Sequence, residues 1–205
     1  VQLREAILRR RMVRRFDATR PVPPEVLRRV VQLALRAPSA GFSQGFDFVV
    51  LRDDADRAAY WAATSDPDAP TDGWLHGVSD APVLILCCSD RSRYLRRYAE
   101  PDKARSGVAG SPWPVPYWDV DTGMAALLML LGAVDEGLGA LFFGVPADRT
   151  DTVLARFGIP EGHHLVGVVA LGYAAEDRPS GSTRTRARRP LDEVFHDGTF
   201  GAPLH

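Results

Sequence analysis

The stretch "DVDTGMAALLMLLGAVDEGLG", Asp119–Gly139, decides how the whole chain is read. Its middle, "MAALLMLLGAV" at 124–134, is apolar on nearly every side of a helix. A surface helix carries one apolar stripe, whereas a helix apolar all round is buried on most of its faces. Crossing a bilayer takes about 20 apolar residues in a row, so this run is too short to span one. The pattern predicts a central helix with other elements packed around it. Gly137 ends it by supplying a left-handed conformation. "ALFFG", 140–144, follows as a short strand.

Working outward, the flanks alternate between the two periodicities. A first helix is expected from about Leu3 to Met12. "RPVPPEVLRRVVQLALRAPSAG" opens a second at its prolines, with Glu25 in the first turn. Val26, Val30, Leu33 and Leu35 form its apolar face; Arg28, Arg29 and Gln32 form its polar one. "FDFVVL", "APVLILCC" and "HLVGVVALGY" read as strands. Helices are expected near Ala55 to Ala63, over "DRSRYLRRYAE" and over "ADRTDTVLARFG". Residues 64–77 and 101–118 are rich in turn residues and read as loops. No repeat and no linker divides the chain, so one domain over 1–205 is expected. The alternation indicates a layered α/β or α+β fold.

Composition narrows the function. The 205 residues are 45% apolar, and Lys+Arg 25 against Asp+Glu 26 leaves a net charge of -1. Nucleic-acid binders carry a basic excess, so a small anionic ligand is the expected partner, not a polymer. The opening residues lack the apolar core of a secretory leader. The two cysteines, Cys87 and Cys88, adjoin each other in an apolar run and are expected as buried free thiols. Both features predict a cytoplasmic protein that contacts no membrane.

Several short motifs bear on chemistry. "GFSQG", Gly41–Gly45, spells a nucleophile elbow, but that elbow needs a strand before its serine and a helix after it. Here the order is reversed, so Ser43 is not expected to be a nucleophile. "GLGALF" lacks the third glycine of a dinucleotide turn and runs from helix to strand. The five histidines show no metal-ligand spacing, so no metal is expected. His163 and His164 are expected in a surface turn. There remain two arginine clusters, Arg9, Arg10, Arg11, Arg14 and Arg15, and Arg184, Arg186, Arg188 and Arg189. On a helix Arg10 and Arg14 would share a face. In an extended tail Arg186 and Arg188 would point the same way. Charge pattern alone leaves two readings open: a solvated surface, or guanidinium forks converging on a phosphate.

Three separated stretches resemble the FMN-dependent nitroreductase family. "RRRMVRRFD" resembles its opening arginine segment, "APSAGFSQGFDFVV" its A-P-S segment, and "GIPEGHHLVGVVALGYAAED…RARRPLDEVFH" its close. The resemblance implies an α+β fold: a central mixed, mainly antiparallel sheet flanked by helices, in a domain-swapped homodimer. It implies FMN as cofactor and NAD(P)H as electron donor. Arg10, Arg11, Met12 and Arg14 fall on positions around the FMN phosphate, ribityl chain and pyrimidine. Arg186 and Arg188 fall on the late basic pair that closes on the phosphate. Pro38, Ser39, Ala40, Phe42 and Gln44 fall on the segment that reaches the flavin from the other subunit. Phe143 and Gly144 fall where the chain passes the ring, with the Gly144 backbone near N5.

Departures from the pattern bear on substrate choice. Met12 stands where a serine is usual, Phe42 in place of asparagine, and Gly45-Phe46 in place of Pro-Trp. Phe42, Trp113, Tyr117 and Trp118 are candidates to line the acceptor side, and packing of the Pro-rich loop is the alternative for the last three. Trp61 and Trp74 flank the other loop. No side-chain nucleophile is implied, because the cofactor carries the chemistry. The expected function is NAD(P)H-dependent reduction of an aromatic, nitro, quinone or enone molecule by ping-pong hydride transfer. The rivals are a specialised biosynthetic FMN-dependent dehydrogenase or flavin-modifying enzyme, and a flavin-binding protein without turnover.

Overall fold

The computed structural model describes residues 1–65, 73–104, 113–175 and 185–204. It divides into two compact units, Val1–Ala175 and Glu176–His205.

Strand β2, Val83–Asp90, is the axis of the first unit, and every residue along it is buried. Its side chains alternate between two cores. Val83, Ile85 and Cys87 enter one, and Leu84, Leu86 and Cys88 the other. That is the period of two that a strand covered on both faces must show. β1, Phe46–Leu51, and β4, His163–Gly172, pair antiparallel on either side of β2, and β3, Gly139–Phe143, pairs antiparallel with β4. The order is β1-β2-β4-β3. An isolated parallel bridge from Met12 to Ala140 adds to the β3 edge, so the sheet is mixed and mainly antiparallel, as expected for an α+β chain.

Helices cover both faces. α2, Pro24–Ala34, and α7, Tyr117–Asp135, lie on one side, where Val30, Ala126, Met129, Leu130 and Ala133 share a core with Val169 and Leu171. The other face holds α3, Asp54–Thr64, α4, Gly73–Ser79, and α8, Thr150–Arg156, through Tyr60, Val78 and Val153. α1, Leu3–Arg9, α5, Arg91–Tyr98, and α6, Pro101–Ala104, complete the described helices. The loop reading of 64–77 is corrected at its end, which forms α4; residues 66–72 and 105–112 lie outside the described residues.

α7 is the central helix, and its small residues explain how it fits. A side chain on Gly132 would meet Leu33 Cδ1 of α2. Burying a Met or Leu contributes about 2 kcal/mol, so the inner face alone supplies much of the driving force. The stop at Gly137 is as read: its φ is 71, its N–H donates to Val134 O, and the Leu138 N–H donates to Ala133 O at 2.7 Å. α7 begins two residues before the stretch that opens at Asp119, so Tyr117 and Trp118 are helical. Tyr117, Val120 and Leu127 remain exposed along one strip of this otherwise buried helix.

The first helix needs correction. It ends at Arg9, and Arg10 turns out with φ -57 and ψ 123. Met12 then bridges to Ala140, and the Val13 N–H donates to Ala140 O at 2.9 Å. An edge strand with free carbonyls outcompetes one further helical turn here. Likewise His163 opens β4 and does not lie in a turn.

The second unit is described from 185 on. It has a short turn over Leu191–Glu193, an Arg189–Glu193 ion pair, and a bridge between His196 and Pro203.

Candidate functional site

Two groups of expected site residues take shape within the first unit, at opposite edges of the sheet. The first is built on the β3 edge. Since the chain from Arg10 to Arg14 is extended, Arg10, Met12 and Arg14 share a side by the two-residue alternation of a strand, not by a helical turn. Arg14 Nη1 donates to Met12 O at 3.0 Å. Arg10 Nη1 is buried and has no hydrogen-bond partner. A buried, unpaired guanidinium nitrogen is costly, and a ligand anion is the ordinary way to satisfy one. Arg11 is exposed. The Met12–Ala140 bridge sets this arginine segment beside the strand that leads to Phe143 and Gly144. Gly144 is exposed, and nothing lies within 4 Å of where its Cβ would be, so its backbone can be approached closely.

Phe143 is held in an aromatic stack. It lies parallel to Trp61 at 6.0 Å between ring centroids, and Trp74 meets it edge-on at 5.5 Å. Thus Trp61 and Trp74 both belong to the neighbourhood of Gly144.

The second group is the segment Pro38–Gly45, which leads into β1. Its backbone is unusual: Gly41, Phe42 and Gln44 have φ of 62, 57 and 50. A residue other than glycine in this left-handed region costs about 1–2 kcal/mol, so the surroundings must hold it there. Inside the segment, the Ser43 hydroxyl donates to Ala40 O at 2.6 Å and the Gln44 N–H donates to Ser39 Oγ at 3.0 Å. The Ser43 proton is thereby engaged by a carbonyl, and the strand follows the serine, so the elbow is absent in geometry as in sequence.

Outside anchors come from α5 and α7. The Ala40 N–H donates to Asp121 Oδ2 at 2.8 Å, and the Tyr94 hydroxyl donates to the same oxygen at 2.7 Å. Arg97 Nε donates to Gly41 O at 2.9 Å. The rest of that guanidinium forks onto Asp102, with both bonds at 2.7 Å. Hydrogen bonding from Arg97 holds the Asp102 carboxyl down at about 2. Burial, then its bond to Asp121, pushes the Tyr94 phenol upward, so it stays a donor. Gly45 explains its own departure from the family pattern: a Cβ there would run into the Tyr94 ring and lie 2.7 Å from Asp90 O.

Phe42 is left 74% exposed at the tip. Trp113, within the Pro-rich stretch, packs edge-on against Tyr98 at 4.7 Å and Tyr94 at 6.1 Å. It also meets Tyr117 and Trp118. This favours the packing alternative for Trp113, while Tyr117 keeps an exposed face.

β1 and β3 are separated by two strands, hence by roughly 14 Å at the usual interstrand spacing. The arginine group and the 38–45 segment thus belong to opposite edges of the sheet. Arg186 and Arg188 are exposed in the second unit.

Asp121, Tyr94 and Arg97, which anchor the 38–45 segment, are the residues that sequence reasoning missed. Asp121, the second acid of "DVDTG" and the one nearer the apolar run, was the available signal, since an acid in a buried helix needs a partner. Burial pushes the Cys87 thiol up strongly and the Cys88 thiol up to about 12, so neither supplies a thiolate.

The chain is similar to known proteins in sequence and fold. A family model described as "Nitroreductase family" matches residues 7–173. The NADH dehydrogenase of Thermus thermophilus is 31% identical over 193 residues, covering 84% of this chain and 86% of its own. A Methanothermobacter thermautotrophicus protein, provisionally named NADH dehydrogenase/NAD(P)H nitroreductase, is 30% identical over 175 residues, covering 84% and 78%. A provisionally named nitroreductase of Desulfovibrio desulfuricans, solved in complex with FMN, matches with a TM-score of 0.72 at 25% identity, over 98% of each chain.

Proposed function

The chain belongs to the nitroreductase family, and on that premise we propose that it is an FMN-dependent oxidoreductase using NAD(P)H to reduce a flat aromatic, nitro, quinone or enone molecule. The observation that carries this reading is the buried, unpartnered Arg10 Nη1 beside Arg14 on the β3 edge. A phosphate dianion fits that donor set, with Arg11 close by in sequence. Arg186 and Arg188 keep the phosphate role that their motif positions imply. The open Gly144 backbone and the adjoining Phe143 would face the ring. When bound, FMN accepts and donates hydride at ring N5, so the chain supplies position, charge and shelter from water and needs no nucleophile.

The residues present suit that division of labour. Positive groups at one end of the site hold the anionic cofactor. The exposed Phe42 ring offers a flat apolar surface to an acceptor. Donor and acceptor would take turns over one ring face, giving ping-pong kinetics.

We read the working protein as a homodimer in which the 38–45 segment of one copy reaches the arginine group of the other. Support comes from the separation of the two groups across the sheet. The exposed strip on α7, with Val120 44% and Leu127 47% exposed, offers an apolar face for the partner. On this reading the whole of 1–205 serves one FMN-binding domain, working in the cytoplasm, where its free thiols stay reduced.

The test is to purify the protein, identify any released flavin, and mix the flavin-loaded protein anaerobically with NADH, NADPH and organic donors. Release of FMN and rapid bleaching by a nicotinamide donor are expected. A colourless protein that FMN cannot reconstitute refutes the reading. Bleaching by an organic donor alone identifies the specialised dehydrogenase, and bleaching by none identifies a flavin carrier.

A further inference from the structure

Asp121 stands out on physical grounds. It is a carboxylate 2% exposed, set in the long apolar helix α7, and it accepts hydrogen bonds from a phenol and a backbone amide. A buried acid is retained against a substantial desolvation cost, so something must compensate for it. The bond it makes falls where the backbone enters the left-handed residues Gly41, Phe42 and Gln44. Arg97 grips the carbonyl of Gly41 from α5. The 39–40 and 41–42 peptide groups are thus tied to two different helices.

We propose that Asp121 and Arg97 are positioning residues that clamp the 38–45 segment in the strained form that closes on the flavin. This rests on the flavin reading above. Asp121 fixes the Ala40 amide, and Tyr94 orients the carboxylate from the other side. Arg97 fixes the Gly41 carbonyl, and its fork onto Asp102 keeps the guanidinium from swinging away. Both bonds hold the chain immediately before Phe42 and Gln44, whose φ values are 57 and 50. The ring of Phe42 is therefore presented outward at a set angle.

Asp121→Leu and Asp121→Asn separate this role from simple packing. Leucine fills the volume and cannot accept a hydrogen bond. Asparagine can accept both bonds on one oxygen, since both now end on Oδ2. Two measurements are made on each variant: amide hydrogen exchange of residues 40–44 in the flavin-free protein, and FMN affinity by fluorescence titration. Exchange is compared with that of β2 and β4, which reports global stability.

For Asp121→Leu, exchange at 40–44 should rise at least about tenfold relative to β2 and β4, and FMN affinity should fall by at least about tenfold. Asp121→Asn should stay within about threefold on both. If Asp121→Leu does not fold, Arg97→Met is read by the same measurements, with a severalfold change expected in each. The clamp is overturned if the folded variant used keeps both quantities within threefold of the parent, or if Asp121→Asn behaves like Asp121→Leu. If the parent protein binds no FMN, the flavin reading fails, and the exchange data still decide whether the clamp holds the segment.

Discussion

Replacing Arg10 by methionine should move two properties in opposite directions. Arg10 Nη1 is buried and unpartnered in the protein alone. Leaving a buried donor unsatisfied costs about 1–3 kcal/mol, part of which Arg10→Met recovers by removing the donor while keeping an apolar stem. The Arg10 backbone N–H, which donates to Ala6 O at 2.9 Å and closes α1, is untouched. The flavin-free protein should therefore melt no lower than the parent and up to about 2–4 °C higher, the shift that 1 kcal/mol gives in a chain of this size. FMN binding should weaken, because a hydrogen bond to a charged group contributes about 1.5–3 kcal/mol. At about 1.4 kcal/mol per factor of ten, the dissociation constant should rise roughly ten- to hundredfold. The assay pairs a melting curve of the flavin-free protein with a fluorescence titration by FMN. A variant that melts lower and binds FMN as before would refute the reasoning, since Arg10 would then serve the fold and not the ligand.

The double variant Arg186→Ala/Arg188→Ala should weaken FMN binding by about a hundredfold or more while leaving the oligomeric mass unchanged, read by titration and by mass in solution. Unchanged affinity would return these arginines to solvated surface. Phe42→Asn places at φ 57 a residue that tolerates the left-handed region, so stability should hold or rise by up to about 1 kcal/mol. Its KM for flat aromatic acceptors should rise severalfold; equal KM values for every acceptor tried would remove Phe42 from the acceptor surface.

Much of this molecule was legible as pattern. The unbroken apolar runs of "APVLILCC" and "HLVGVVALGY" and the all-round apolarity of 124–134 are local features, so the strands and the central helix appear in the structure close to where they were read. Gly137 worked the same way, because a helix stop is a property of a few adjacent residues. The arginine segment was legible in composition and misread in conformation. "RRRMVRR" has the propensity to continue a helix, and only the open β3 edge, brought close by the chain's later course, draws Met12 and Val13 into extended pairing. The outcome still sets Arg10 and Arg14 on one side, for a different reason. The clamp on 38–45 was beyond any local reading. Asp121 lies 81 positions from Ala40 and Arg97 lies 56 from Gly41, and hydrogen bonds across such separations exist only once the sheet and its helices have packed. Local sequence determined which elements form and which charges are present. Tertiary packing decided which buried donor lacks a partner, which residues bear backbone strain, and that the two groups lie at opposite edges of one sheet, because each depends on contacts between segments far apart in the chain.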